Sequence, residues 1–174
     1  LDDLSARRGE RVAVIGDGKL GLLCALALAT TPASVTLVGH HPEHFAIARG
    51  ARALHEKELP RERAFDAVVE ATGSPAGLEL ALSIIRPRGT VILKSTYAGK
   101  PGVALAPIVI DEVRVIGSRC GSIPVALRAL EERLVDPTPL LDSVLPLAKG
   151  LEAFERAARP GVLKVALAVR RALS

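Results

Sequence analysis

Short apolar segments that could form buried strands alternate along most of this chain with longer segments of helical pattern. Apolar runs without polar interruption are typical of parallel strands, which helices cover on both faces. The pattern therefore predicts an α/β fold, a doubly wound parallel sheet in three α/β/α layers. The predicted strands are Arg11–Ile15, Ser34–Val38, Arg52–Leu54, Phe65–Glu70, Thr90–Lys94 and Glu112–Ile116, and the predicted helices between them are Lys19–Thr30, Pro42–Arg49 and Ser74–Ile85.

Three glycines follow the first predicted strand with the spacing G-x-G-x-x-G, at Gly16, Gly18 and Gly21. In a dinucleotide-binding unit the first glycine allows a tight turn, the second lets a pyrophosphate approach the backbone, and the third lets the helix pack on the strand. The N–H groups at the start of the helix would hold the phosphates. Because a strand precedes the motif and a helix follows it, we predict a Rossmann-type dinucleotide site. A structural glycine-rich turn and another nucleotide ligand remain alternatives.

The pattern changes after Gly121. A helix is predicted over Ile123–Leu134, a strand over Leu141–Leu145, a helix over Ala148–Ala158 and a strand over Leu163–Val169. We therefore predict a nucleotide-binding core over residues 1–121 and an appended C-terminal segment over residues 122–174.

Composition excludes several other classes. Hydrophobic residues make up 49% of the chain, yet the longest apolar run, Leu20–Ala29, is too short to span a bilayer, so no membrane partner is expected. The net charge of +4 comes from scattered basic pairs with only 2% aromatic residues, which argues against nucleic acid and suits an anionic cofactor. Neither of the two cysteines has a C-x-x-C partner, so we expect no zinc knuckle or disulfide framework and a cytoplasmic location.

Five motifs, the glycine motif among them, carry a resemblance to a known family. They are GDGKLGLL at 16–23, VVEATGS at 68–74, RPRGTVILKS at 86–95, VRVIGSRCG at 113–121 and the tail LAKGLEAFERAARPGVLKV at 147–165. The order of these motifs and the residues in them resemble the medium-chain dehydrogenase/reductase family, in particular the zinc-type alcohol, polyol and threonine dehydrogenases. The tail is the specific part, since other Rossmann families do not end in this way.

The resemblance implies a set of cofactor contacts, many of them through the backbone. Those at the pyrophosphate are Gly16, Gly18, Lys19, Leu20 and Gly21, with Lys164 reaching it from the tail; those near the adenosine and the bridge are Ala71, Thr72 and Gly73; those at the nicotinamide carboxamide are Lys94, Ser95, Ser118, Arg119 and Cys120. For each, the alternative is a sheet-edge or loop residue without a ligand, and Cys120 could be a small buried residue.

The resemblance also implies what this chain does not carry. In the family, the catalytic domain and its zinc ligands lie mostly upstream of the glycine motif, so we expect cofactor binding here with no catalytic residue and no metal site. The segment after Gly121 would pack on that catalytic domain and would expose an apolar patch without it. The predicted edge strand Glu112–Ile116 is expected to pair with a second copy of the chain.

The end of the second strand bears on the choice of cofactor. NAD-specific folds place an Asp or Glu there to bind the ribose hydroxyls, whereas this chain has Gly39 followed by His40 and His41. A glycine would leave space for a 2′-phosphate and the histidines could pair with it, which predicts NADP(H) over NAD(H). His44 is predicted to face solvent, and no metal is expected among these histidines.

Two other functions stay open. One is a stand-alone module that senses a dinucleotide without catalysis. The other, which is weaker, is a methyltransferase that uses the same turn for S-adenosylmethionine, because that class usually has an acid at the end of the second strand and does not explain the tail.

Overall fold

Six parallel strands form the sheet that the apolar pattern predicts. The computed structural model describes residues 8–60, 62–96 and 102–169. The strands are β1 (Arg11–Ile15), β2 (Ser34–Gly39), β3 (Arg52–His55), β4 (Phe65–Glu70), β5 (Ile85–Leu93) and β6 (Arg114–Gly117). Their spatial order is β3-β2-β1-β4-β5-β6, so the connection from β3 to β4 crosses the sheet and the strand order reverses between the neighbouring strands β1 and β4. This is the strand order of dinucleotide-binding folds, and the predicted fold class is confirmed.

Helices cover both faces of this sheet. The first three are α1 (Lys19–Leu28), α2 (Pro42–Phe45) and α3 (Pro75–Ile84). α3 contacts β4 and β5, and its Leu78 and Leu82 belong to one buried cluster with Ala13 and Ile15 of β1. The alternate residue Val14 is also fully buried, and α1 contacts β1 and β2. Because successive strand residues point to opposite faces, a strand buried on both faces reads as an uninterrupted apolar run.

Several element ends differ from the prediction. α1 stops two residues early, because the hydroxyl groups of Thr30 and Thr31 donate to the carbonyl groups of Ala27 and Leu28 in its last turn. β5 begins at Ile85, directly where α3 ends, rather than at Thr90.

Two more helices lie in the described part of the first unit, α4 (Ala106–Ile110) and α5 (Ile123–Glu131). α4 was not predicted. No residue of α5 is buried, and its apolar side chains Ile123, Val125 and Leu127 are more than half exposed. These side chains lie in the segment after Gly121, whose packing on another domain stays a prediction. Within the described ranges, no helix has the length and apolar character needed to cross a membrane.

A second compact unit begins at Asp136. Its described part consists of β7 (Leu141–Pro146), α6 (Gly150–Ala157) and β8 (Lys164–Ala168), and the two strands pair in parallel. The helix crossing between parallel strands explains why the sequence reads strand, helix, strand here. The boundary between the compact units, at Val135/Asp136, lies downstream of the predicted functional boundary at Gly121.

Candidate functional site

A cleft of about 480 Å³ opens at the carboxyl ends of β1, β2 and β4. In a doubly wound sheet this edge, where the strand order reverses, is where ligands bind. The residues that line the cleft are Ile15, Gly16, Asp17, Gly18, Val38, Gly39, His40, His41, Glu56, Ala71, Thr72, Ser74, Ala76, Gly77 and Leu80.

The three motif glycines meet three different requirements. Gly16 has φ +108°, a conformation that side chains rarely adopt, and a Cβ there would lie 2.9 Å from the Ala71 carbonyl oxygen. A Cβ on Gly21 would lie 1.7 Å from the Gly16 carbonyl oxygen, so α1 packs directly on the turn. A Cβ on Gly18 would meet nothing within 4 Å and would stand in open space at the cleft. No steric contact within the described protein therefore requires a glycine at this position of the cleft.

The position of Gly39 is explained by an acid that the sequence analysis did not single out. A Cβ on Gly39 would lie 2.3 Å from Asp17 Oδ2 and 2.4 Å from its Cγ. The space beside Gly39 is therefore taken by the Asp17 carboxylate. The expectation that Gly39 leaves room for a phosphate group does not hold in this structure.

The Asp17 carboxylate is held by donors just beyond β2. Its Oδ2 accepts from the main-chain N–H groups of His40 at 2.9 Å and His41 at 2.6 Å. The Nδ1 atom of His41 lies 3.1 Å from Oδ1. The side chain of Asp17 is only 8% exposed, whereas that of His41 is half exposed. An acid from the glycine turn is thus fixed to the end of the second strand.

The hydrogen bond that the His41 ring donates to the Asp17 carboxylate raises the pKa of His41 above its ordinary value. Burial of the Asp17 carboxyl would raise its pKa, but the hydrogen bonds and charge of His41 outweigh burial and hold that pKa below its usual range. The neighbouring His40 ring contacts the Glu56 carboxylate through Nε2 and Oε2. Both histidines that were predicted to face a phosphate therefore face a carboxylate of this chain.

His44 is buried, which corrects the prediction that it faces solvent. Its Nδ1 lies 3.0 Å from the Asp17 carbonyl oxygen, and its ring lies 5.1 Å from that of His41. Possible ligand atoms of Asp17, His41 and His44 lie within 4.8 Å of one another. Because the Asp17 carboxylate already accepts from two main-chain N–H groups, the cluster serves to hold the turn. The absence of a metal site stays a prediction.

A buried acid holds the loop that follows β4. Glu70 at the end of β4 is fully buried, and its Oε1 accepts from the N–H of Thr72 at 2.7 Å and from its hydroxyl at 2.6 Å. A Cβ on Gly77 would lie 2.2 Å from Thr72 Oγ1, so this glycine lets α3 approach the pair. This contact fixes the loop that carries Ala71, Thr72 and Gly73.

The predicted residues after β5 and β6 lie beside one another outside the cleft. The Ser95 hydroxyl accepts from the Gly73 N–H at 2.7 Å, and Lys94 Nζ donates to the Arg119 carbonyl at 2.6 Å. Lys94 Nζ also lies 3.4 Å from Ser118 Oγ, and Cys120 is exposed rather than buried. These contacts tie the ends of β4, β5 and β6 into one continuous edge.

The structure brings together some of the predicted site residues and not others. Those that line the cleft are Gly16, Gly18, Gly39, His40, His41, Ala71 and Thr72; those that do not are Lys19, Leu20, Gly21, Gly73, Lys94, Ser95, Ser118, Arg119, Cys120 and Lys164. Lys164 is exposed at the start of β8, in the second unit. The lining residues that the sequence analysis missed include Asp17 and Glu56. An acid inside the glycine motif was the available signal for Asp17.

Comparison with known proteins gives a consistent set of relatives. No family model matches the chain. Sorbitol dehydrogenase from Macaca fascicularis is 30% identical over 176 residues, which cover 91% of this chain and 49% of that protein. The solved alcohol dehydrogenase TADH from Thermus sp. ATN1 superposes with a TM-score of 0.84 at 29% identity, over 94% of this chain and 52% of that one. The chain spans about half the length of the curated relatives it matches.

Two more distant neighbours share the fold and were solved with cofactors. S. aureus TarJ, in complex with NADPH, has a TM-score of 0.84 at 18% identity, over 94% of this chain and 56% of that one. An alcohol dehydrogenase from E. coli CFT073, complexed with NADH, has a TM-score of 0.81 at 19% identity, over 93% and 53%. At these identities the likeness concerns the fold alone.

Proposed function

We propose that this chain, which belongs to the medium-chain dehydrogenase/reductase family, is the nicotinamide-dinucleotide-binding domain of a zinc-type alcohol or polyol dehydrogenase. The observation that carries the proposal is Gly18, an unobstructed glycine at the start of α1 in a cleft at the switch point of the sheet. The parent protein would be an oxidoreductase that acts on a CH–OH or carbonyl group, and its catalytic zinc would be held outside this chain.

The residues present fit such a cofactor. The backbone of Gly16 and Gly18 and the first-turn N–H groups of α1, at Lys19, Leu20 and Gly21, would hold the pyrophosphate. Ala71, Thr72 and Gly73 would border the bridge and the adenosine. When bound, the cofactor supplies the hydride or accepts it.

We place the nicotinamide end along the edge formed after β5 and β6. Its contacts would come from the backbone near Lys94, Ser95, Ser118, Arg119 and Cys120. The contact of Lys164, at the start of β8, with the pyrophosphate stays a prediction.

The sequence predicts NADP(H) because Gly39 would leave space for a 2′-phosphate and the histidines could pair with it. Neither condition is met in this structure. Asp17 fills the space beside Gly39, and the histidines already contact acids. The proposed cofactor is therefore a nicotinamide dinucleotide.

Calorimetric titration of the chain with NADH and NADPH tests the proposal. We expect the wild-type chain to bind at least one of them and Gly18→Ala to bind it about tenfold more weakly, because the added methyl group occupies the space that the pyrophosphate needs. The melting temperature should not change, since this methyl group meets no protein atom within 4 Å.

Gly150→Ala is the matched control. A Cβ there is equally unobstructed, but Gly150 lies at the start of α6 and does not line the cleft. Equal affinities of the wild-type chain and Gly18→Ala would refute the assignment of the turn. Binding of S-adenosylmethionine without binding of either dinucleotide would favour the hypothesis that the chain is a methyltransferase.

We further propose that the chain pairs with a second copy through β6 and has a cytoplasmic location. Among the described strands, β6 is the last of the six-stranded sheet and pairs with β5 alone, and an edge strand presents unpaired main-chain groups. Its side chain Val115 is 38% exposed. The edge begins two residues later than predicted, at Arg114 instead of Glu112.

Sedimentation velocity tests this pairing. A dimer is expected for the wild-type chain and a monomer for Val115→Lys, because lysine on an edge strand opposes strand pairing. Val109→Lys places the same charge on α4, where Val109 is 75% exposed, and should leave the dimer intact. A wild-type monomer at high concentration would remove the proposal.

A further inference from the structure

We infer that Asp17 makes the cleft selective for NAD(H) against NADP(H), because its carboxylate occupies the donors and the space that a ribose 2′-phosphate would need. The inference rests on the proposed function, since it concerns the adenosine end of the same cofactor. It assigns the choice of cofactor to a residue of the glycine turn rather than to the last residue of β2.

The hydrogen-bond donors at the end of β2 are already occupied. A phosphate bound at the end of β2 would need main-chain N–H groups and a basic side chain from the residues that follow the strand. In this chain the N–H groups of His40 and His41 both donate to Asp17, and so does the His41 ring. A 2′-phosphate would therefore have to displace a buried carboxylate from all three donors. A 2′-hydroxyl has no such need, because it can donate a hydrogen bond to a carboxylate.

The Asp17 carboxylate also fills the space beside Gly39. The Asp17 carboxylate lies so close to Gly39 that even one added carbon at that residue would be 2.3 Å from Oδ2. The gap that a glycine normally leaves at the end of this strand is therefore filled from the side of the turn. A buried and hydrogen-bonded side chain cannot move away without leaving its donors unpaired.

The charges act in the same direction. Two carboxylates, Asp17 and Glu56, line this end of the cleft, and its described lining contains no lysine or arginine. The two histidines present are each in contact with one of these acids. A 2′-phosphate would add close to two negative charges beside them, and like charges that face each other weaken binding strongly.

The experiment compares two pairs of ligands that differ only in the 2′-phosphate. They are NADH against NADPH, and 5′-AMP against adenosine 2′,5′-bisphosphate, each titrated calorimetrically at about pH 8. The adenosine pair tests this end of the cleft without the nicotinamide. We expect the wild-type chain to bind the ligand without the 2′-phosphate at least tenfold more tightly in both pairs.

Three variants locate the cause. Asp17→Asn keeps the size of the side chain and an acceptor oxygen but removes the charge, and should reduce the preference to about threefold or less. Glu56→Gln, at an exposed position, should reduce it about twofold. Glu79→Gln makes the same charge change on the exposed surface of α3, outside the lining, and should leave the ratio unchanged.

Two results would overturn the inference: equal or tighter binding of the phosphorylated ligands by the wild-type chain, or a ratio in Asp17→Asn equal to that of the wild type. The wild-type ratio is decisive even if Asp17→Asn fails to fold. Failure of the wild-type chain to bind any of the four ligands would instead refute the proposed function, and the inference with it. Binding of NADPH alone would overturn the inference and leave the proposed function standing.

Discussion

Replacing Gly21 by alanine is expected to destabilise the chain by about 3 kcal/mol and to abolish dinucleotide binding. The added Cβ would lie 1.7 Å from the Gly16 carbonyl oxygen and 2.8 Å from its carbonyl carbon. Both are backbone atoms of the turn. Because the Gly16 N–H donates to the Val38 carbonyl of β2, the turn cannot move without breaking this hydrogen bond. α1 would have to move away from the sheet and carry the first-turn N–H groups with it. Urea unfolding measures the stability, and titration with NADH and NADPH the binding.

The sign of this effect is informative, because alanine is favoured over glycine inside a helix by about 1 kcal/mol. If α1 did not pack on the turn, Gly21→Ala would stabilise the chain. Gly18→Ala is the control within the same motif, since it should reduce affinity and leave stability unchanged. An unfolding midpoint for Gly21→Ala at or above that of the wild type would contradict the packing described here.

Placing an acid at the end of β2, with Gly39→Asp, is expected to destabilise the chain by about 2–3 kcal/mol. The new Cβ would overlap the Asp17 carboxylate, and two acids would share one set of donors. The backbone itself is permissive, because Gly39 does not have a positive φ. The clash with Asp17 is therefore the cause, and removing Asp17 should relieve it.

The double variant Asp17→Ala with Gly39→Asp should recover most of the lost stability. In a double-mutant cycle we expect a coupling free energy of at least about 1.5 kcal/mol between the two positions. Gly39→Ala separates the steric part from the charge, since it adds only the methyl group. Additive effects of the two substitutions in urea unfolding would show that Asp17 and Gly39 do not compete for one space.

The strands and the glycine turn could be predicted because local rules determine them. A parallel strand buried on both faces has an apolar sequence, as Val12–Ile15 does, and the spacing of Gly16, Gly18 and Gly21 reflects three short-range steric demands. These features involve residues close in sequence or a simple periodicity. The fold class and the place of the cleft follow from them.

Contacts between distant residues could not be read in this way. Asp17 and Gly39 are 22 positions apart in the sequence, and only the sheet brings the turn to the end of β2. His44 is buried because its ring reaches the Asp17 carbonyl, a contact that its exposed neighbours on α2 do not suggest. The early start of β5 has the same origin, since the pairing of Ile85 with Phe65 extends the strand across a segment whose proline and glycine predict a turn. In each case a tertiary contact overrides the local signal.

The glycine turn is fastened to β2 at two places, by the Gly16 N–H on the Val38 carbonyl and by Asp17 on the N–H groups of His40 and His41. A loop held in this way has already lost its conformational freedom when the chain folds. Association with an anionic ligand then requires little ordering of the backbone, which favours affinity through preorganisation rather than through additional contacts. The same fastening makes the rate of ligand capture depend on diffusion and charge, since no slow rearrangement of the turn has to precede it.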